Sequence, residues 1–303
     1  MKLVSYNIQY GFGGDGRYDL SRCAKIVAGA DIIALQEVER HWLRSNEDDQ
    51  PELLSRLLPE YYWVYGPAFD MDASERRDGR IVNRRRQFGT MLLSRLPIVW
   101  SRLHTLPLRR TARPLNTRNA ALECMIHTPA GPVRVLSLHL AHIAAEERLE
   151  QIDYLLAEHR RAPSDGGPWS GADDEPVRNW SNGEPEPENP LAAIWLGDFN
   201  MEPGSAEYRR IVGSTPYHRG AVYLDGFVDA AVTGEPTADF HTHVKTIDGR
   251  LAKRRLDHCF VGGMLAGRVR SVSADIGEIA SDHFPLRVDI DLETPFATGT
   301  GGG

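Results

Sequence analysis

One stretch constrains this chain more than any other, Leu191 to Asn200, which reads LAAIWLGDFN. Leu191 to Leu196 is a short unbroken apolar run, the pattern of a strand buried on both faces. It ends in Gly197-Asp198-Phe199-Asn200. Period-2 geometry lets Asp198 and Asn200 point the same way while Phe199 packs behind them. The same letters also suit an ordinary turn. How the other apolar runs end decides between a turn and a site.

They end alike. Lys2 to Ile8 leads to Asn7. Asp31 to Leu35 runs into Gln36-Glu37-Val38-Glu39, which places Glu37 at the C-terminal end of a strand. Val133 to Leu140 delivers His139, Arg255 to Val261 carries Asp257 and His258, and Ser281-Asp282-His283 precedes a last strand, Leu286 to Ile290. Asp19 to Ala28, Pro51 to Leu58, Ala144 to Arg161 and Ser205 to Val212 space their apolar residues as helices do. Open α/β sheets commonly build a site from the ends of their strands. A hard divalent cation such as Mg²⁺ takes one or two carboxylates plus water and substrate oxygens, whereas a thiol-rich or all-histidine set would point to zinc. His139 and His283 add a general base and an acid or oxyanion donor. Such a set suits metal-assisted attack of water on a phosphoryl centre.

The remaining segments are less specific. Tyr61 to Tyr65 reads as a strand leading into a loop, Asp70 to Gln87, that holds Arg76, Arg77, Arg80, Arg84, Arg85 and Arg86. Arg109, Arg110, Arg113 and Arg118 continue the basic character. Such loops are either solvated charge or a phosphate-attracting rim. Phe88 to Leu93 and Pro97 to Leu103 read as a strand pair, and Ala120 to His127 with Val133 to Leu140 as a hairpin. The glycine-rich Gln9 to Gly16 lacks the Gly-Lys-Ser/Thr ending of a nucleotide-binding loop and reads as a connection. Residues 163–190 hold six prolines and a run of acids, too polar to fold alone. They read as a surface insertion in one domain spanning 1–292, and 293–303 as a disordered tail. Trp63, Trp100, Trp169, Trp180 and Trp195 read as packing or loop residues. His241 and His243 are either structural or pocket-shaping.

A formal net charge of -7 argues against a general nucleic-acid coat protein, though not against a local basic groove. Three widely spaced cysteines, Cys23, Cys124 and Cys259, suit buried thiols in a reducing compartment. No apolar stretch approaches a membrane span. The expectation is a cytoplasmic protein, its oligomeric state open.

In order along the chain, Ser5-Tyr6-Asn7-Ile8, Leu35-Gln36-Glu37-Val38, Phe88 to Arg95, Ser137-Leu138-His139-Leu140, Gly197-Asp198-Phe199-Asn200, Arg255-Leu256-Asp257-His258 and Ser281-Asp282-His283 resemble the blocks of the endonuclease/exonuclease/phosphatase superfamily. The resemblance runs from about Lys2 to about Asp291. It implies an α/β fold, a four-layer αββα sandwich with two mixed β-sheets packed face to face, and Mg²⁺- or Mn²⁺-dependent phosphoester hydrolysis. By the same resemblance Glu37 would be the principal metal ligand, with Asn7 and Asp282 near the metal. His283 would act as base or phosphate-polarising group held by Asp257, and Asp198 would position or activate water. Asn200 would hold water or phosphate, His139 would contact the phosphoryl oxygen or leaving group, and Arg118 would face the phosphate. The blocks of abasic-site repair nucleases and of inositol polyphosphate phosphatases are missing. General similarity is to bacterial metal-dependent hydrolases, which implies a phosphodiesterase acting on a small or lipid-headgroup diester. The alternative is a DNA or RNA nuclease using 76–86 and 109–118 as a backbone-binding rim. A non-catalytic module would have eroded metal and base positions, and none is eroded.

Overall fold

The computed structural model describes residues 1–173, 175–213, 223–236, 240–247 and 249–296. The chain opens with β1 (Lys2–Asn7), α1 (Leu20–Val27), β2 (Ile32–Arg40), α2 (Gln50–Leu57) and β3 (Tyr62–Asp72). A small ribbon, β4 (Glu75–Arg77) and β5 (Arg80–Val82), precedes β6 (Arg85–Ser94) and β7 (Ile98–Thr105). The hairpin of β8 (Ala120–Thr128) and β9 (Gly131–His139) leads through α3 (Ala145–Asp165) to β10 (Ala193–Asp198) and α4 (Ala206–Val212). β11 (Phe227–Asp229), α5 (Ala230–Thr233), β12 (Glu235–Pro236) and a second ribbon, β13 (His243–Ile247) and β14 (Arg250–Arg254), follow. β15 (Asp257–Gly262), β16 (Val269–Ala274) and β17 (Leu286–Ile290) complete the chain.

Two sheets carry the fold, ordered β12-β16-β17-β1-β2-β6-β3 and β11-β15-β10-β9-β8-β7. Both are mixed. β1 pairs parallel with β2 and antiparallel with β17, and β10 pairs parallel with β9 and antiparallel with β15. These two parallel pairs are joined by crossovers that carry α1 and α3.

Alternation along each strand explains the layers. In β1, Leu3 joins one apolar cluster and Val4 and Tyr6 another; in β10, Ile194 and Leu196 join the first, Ala193 and Trp195 a third. The first cluster fills the space between the sheets. The second packs α1 and α2 onto the outer face of one sheet, through Leu20, Cys23, Ala24, Val27 and Leu54. The third packs α3 and α4 onto the other, through Ile152, Leu155, Leu156 and Ile211. This is the expected four-layer αββα sandwich. α1 starts where Asp19 accepts from Ser21 N at 2.9 Å, and its buried residues fall at helical spacing.

Several local expectations change. β2 does not stop at Leu35 but runs on to Arg40, so Glu37 sits inside a strand. The arginine-rich "loop" is ordered strand: β3 extends to Asp72, and the β4–β5 ribbon caps the turn back into β6. β6 and β7 are not a pair, because each belongs to a different sheet and Arg95-Leu96-Pro97 crosses between them. α3 continues through Pro163 into the insertion. The three cysteines are free and buried. Of the expected disordered tail, residues 297–303 lie outside the described residues, but Phe296 is tied in, its N–H donating to Ala130 O at 2.9 Å. No helix among the described residues is long and apolar enough to cross a membrane.

Candidate active site

The residues that face the inter-sheet core in the middle of a strand reappear, two by two, as polar residues at its end. Leu3, Ser5 and Asn7 share a face of β1, as do Val133, Val135 and His139 on β9, Ile194, Leu196 and Asp198 on β10, and Cys259 and Val261 with Asp257 on β15. Asn7, His139, Asp198 and Asp257 therefore meet between the sheets. Parity also sorts Asp257 from its neighbour. His258 points outward, donates from Nε2 to Met201 O at 2.9 Å, and stacks on Phe260.

Glu37 has the wrong parity and reaches the site by a β-bulge. Gln36 pairs with Thr90 and Val38 with Gly89, leaving Glu37 as the extra residue at φ 59°. The bulge turns its carboxylate into the cleft, where Asn7 Nδ2 donates to Glu37 Oε1 at 3.2 Å and to Asp198 Oδ2 at 3.1 Å. Asn7 Oδ1 accepts from Gln9 N at 3.0 Å. Asn7 thus clasps the two carboxylates and positions Glu37. Gly197 allows the close approach of β10 to β9, since a Cβ there would lie 1.9 Å from Leu138 O.

Asp198 is the centre of the cluster. His139 Nε2 and His283 Nε2 each lie 3.6 Å from Asp198 Oδ2, and Asn200 N donates to Asp198 Oδ1 at 2.9 Å. Burial opposes its ionisation, yet the facing His283 and His139 outweigh this and hold the carboxyl below the ordinary carboxylate range. His283 Nδ1 is held by the fully buried Asp257 Oδ2 at 2.8 Å. Burial disfavours the imidazolium, but Asp257 and Asp198 together push His283 up to about 10. Asn200 Nδ2 donates to Leu140 O at 3.0 Å, and Asn200 lines the cleft.

These groups open into a cleft of about 450 Å³ lined by Glu37, His139, Asp198, Asn200, Asp282 and His283. Tyr10, Trp42, Phe69, Phe88 and Leu115 give it an apolar wall that the sequence reading missed. Arg118 does not contribute: its neighbours Thr117 and Asn119 line the cleft, while Arg118 itself is exposed and donates to Leu106 O at 3.3 Å. The expected phosphate-facing arginine is corrected on that ground. His243, left undecided by sequence, stands with its ring 4.7 Å from that of His283.

The donor set fits a divalent cation. His243, Asp282 and His283 place ligand atoms within 4.8 Å of one another, and so do Asp198, Asp257 and His283. Glu37 lies outside both groups and enters through the cleft wall. Burial raises its carboxyl, and among the described residues it has no Lys or Arg partner, so a bound cation would supply the missing charge.

The family model for the Endonuclease/Exonuclease/phosphatase family matches residues 4–283. The chain belongs to that family. Members of the endonuclease/exonuclease/phosphatase family are phosphoester hydrolases, in general dependent on a divalent metal. No curated protein matches the sequence. Among solved structures, a family protein from Leptotrichia buccalis is similar at 20% identity and TM-score 0.63, covering 96% of this chain and 99% of that one. A mannosyl-6-phosphatase from Bacteroides thetaiotaomicron is similar at 19% identity and TM-score 0.61, covering 96% and 99%. D. rerio TDP2 complexed with single strand DNA product is similar at 16% identity and TM-score 0.60, covering 95% and 97%. These likenesses show the fold.

Proposed function

We propose that this hydrolase is a phosphodiesterase dependent on Mg²⁺ or Mn²⁺ that directs water onto phosphorus in a small or lipid-headgroup diester. The observation that supports it most is the set of three contacts at Asp198, with two histidines at 3.6 Å and Asn200 N at 2.9 Å. Asp198 is an ionised acceptor beside Asn200, and together they orient a water molecule. His283, held by Asp257, and His139 donate to the phosphoryl oxygens as charge builds on them. Glu37 and Asp282 would hold the metal, with Asn7 fixing Glu37; when bound, the metal supplies Lewis-acid stabilisation of that charge.

The nuclease reading keeps one specific support, the arginines beside the cleft, and one observation against it. Arg77, Arg84, Arg85 and Arg109 are spent in ion pairs with Glu75, Glu47, Asp70 and Glu150, so four of the ten arginines of the expected rim are neutralised. Activity with Mg²⁺ or Mn²⁺ against bis(p-nitrophenyl) phosphate, glycerophosphodiesters, plasmid DNA and RNA oligomers tests the proposal. Salt-insensitive turnover of the small diesters supports it; cleavage of DNA or RNA alone, falling steeply with salt, replaces it with the nuclease.

A further inference from the structure

A second cavity, of about 520 Å³, adjoins the active-site cleft and shares His142, Asn200 and His283 with it. A molecule held at His283 therefore has space on two sides, and the two sides differ. The cleft offers the apolar wall of Trp42, Phe69 and Phe88, whereas the second cavity is lined by His243, Lys245 and Arg254 of the β13–β14 ribbon.

The ribbon's register explains why these three face one way. His243 and Arg254 are direct cross-strand partners, and Lys245 lies two residues beyond His243 on the same strand. Among the described residues neither Arg254 nor Lys245 has an ion-pair partner, and the buried Arg254 Nε has no hydrogen-bond partner either. Arg148 in the same cavity is already engaged by Glu207 at 2.7 Å. The exposed Glu202 at the rim is the opposing charge. A half-buried guanidinium without a counter-charge is costly unless an anion meets it.

His243 completes the set as a donor at Nε2. Arg254 Nη2 lies 3.3 Å from His243 Nδ1 and can only donate, so Nδ1 is the acceptor and the ring proton is on Nε2.

We propose that this cavity is a second anion subsite, in which Arg254 and Lys245 bind a further phosphate of the substrate beyond His283 from the aromatic wall. The inference rests on the phosphodiesterase reading and sharpens it: the substrate is a phosphoester that bears a second phosphate, in a short nucleotide chain or on a polyol headgroup. His243 Nε2–H, with Asp282 Oδ2 4.0 Å away, adds a hydrogen bond to that phosphate.

The test compares kcat/KM on two substrate pairs, a dinucleoside monophosphate with and without a terminal phosphate, and glycerophosphoinositol with and without a ring phosphate. The wild-type protein is expected to favour the phosphorylated member of one pair by at least about tenfold, as a hydrogen bond to a charged group is worth that much. The favoured pair identifies the source of the phosphate. In Arg254→Gln with Lys245→Gln that ratio falls to near one, and Arg254→Lys restores part of it. An unchanged ratio in the double variant overturns the subsite, since general damage at His283 slows both substrates alike. A second arm needs no turnover. In EDTA, sulfate at constant ionic strength raises Tm of the wild-type protein more than chloride does, and the double variant loses this difference. Equal sulfate stabilisation of both proteins overturns the subsite. If no phosphoester is hydrolysed, the phosphodiesterase reading fails while the sulfate arm still decides the subsite.

Discussion

His283 Nδ1 and Asp257 Oδ2 are 2.8 Å apart, with the carboxylate wholly buried behind the imidazole. The contact fixes the ring so that Nε2 faces Asp198 and the cleft. Thr242 Oγ1 in turn accepts from Asp257 N at 3.0 Å, which fixes the backbone of the carboxylate. Asp257→Asn preserves the shape but replaces the acceptor with an amide that can present the wrong group to Nδ1. Turnover is expected to fall by about 10²- to 10⁴-fold with the fold intact by circular dichroism. Turnover within threefold of wild type would remove Asp257 from this role.

The bulge at Glu37 makes a different prediction. Glu37→Gln keeps the side-chain length and a contact for Asn7 but removes the charge that burial has left unpaired. Mn²⁺ affinity by calorimetry is expected to fall at least about tenfold, in keeping with the charge dependence of hard-cation sites. EDTA should abolish hydrolysis by the wild-type protein, and added Mg²⁺ or Mn²⁺ should restore it. Metal affinity equal to wild type in Glu37→Gln would move the ligand role to Asp282 and its neighbours.

Much of this site was legible because strands alternate. Once Ile194 and Leu196 are read as core, Asp198 follows on the same face, and the same step gives Asn7, His139 and Asp257. Glu37 was found by its block, not by its geometry: parity sends it to the wrong face, and a bulge is invisible in letters that carry no glycine at that point. Arg118 failed because one residue of difference in the loop before β8 turns a side chain away from the cleft. Trp42, Phe69 and Phe88 come from three separate segments, and only tertiary packing assembles them into one wall. The His243–Arg254 pair required the ribbon's register, which residues 240–254 do not announce by hydrophobicity.

Away from the cleft, Glu123 and Arg134 form a buried ion pair at 2.6 Å on the outer face of the second sheet. Arg134 also donates to His159 Nδ1 at 2.8 Å, and His104 Nε2 lies 2.8 Å from the other Glu123 oxygen. Removing one partner leaves a buried charge alone. Arg134→Leu is expected to cost about 3–5 kcal/mol in urea unfolding, and adding Glu123→Leu should recover most of it. A cost below about 1 kcal/mol for Arg134→Leu would show that the pair is replaceable by apolar packing.

His159 gives the fold an acid sensitivity whose sign is fixed. Burial, then the Arg134 charge, holds its pKa at about 3, well below the ordinary value of 6.5. The unfolded chain therefore binds a proton near pH 6.5 that the folded chain refuses. Stability linked to His159 is fully present above pH 6.5 and is lost as pH falls from there toward about 3. His159→Gln keeps an acceptor for Arg134 but cannot titrate. Its unfolding free energy should fall less steeply over that window, by up to about 1.4 kcal/mol per pH unit. Parallel pH profiles for the two proteins would show that His159 does not set the slope.

Trp42 sits where the apolar wall meets the arginines. Its indole N–H donates to Gln87 O at 2.8 Å, and its ring lies 5.4 Å from Phe69 with Arg44 at 4.8 Å from its face. The hydrogen bond fixes the ring as one side of the cleft, so a planar substituent on the phosphorus has a rigid surface to stack against. Trp42→Ala is expected to raise KM for bis(p-nitrophenyl) phosphate by about tenfold, the scale of one lost stacking contact, while kcat changes little. Against a glycerophosphodiester, which has no ring to stack, the same variant should shift KM far less. An equal loss on both substrates would mean that Trp42 shapes the cleft by packing alone. A loss in kcat with KM unchanged would place its influence on the reacting groups instead of on substrate recognition.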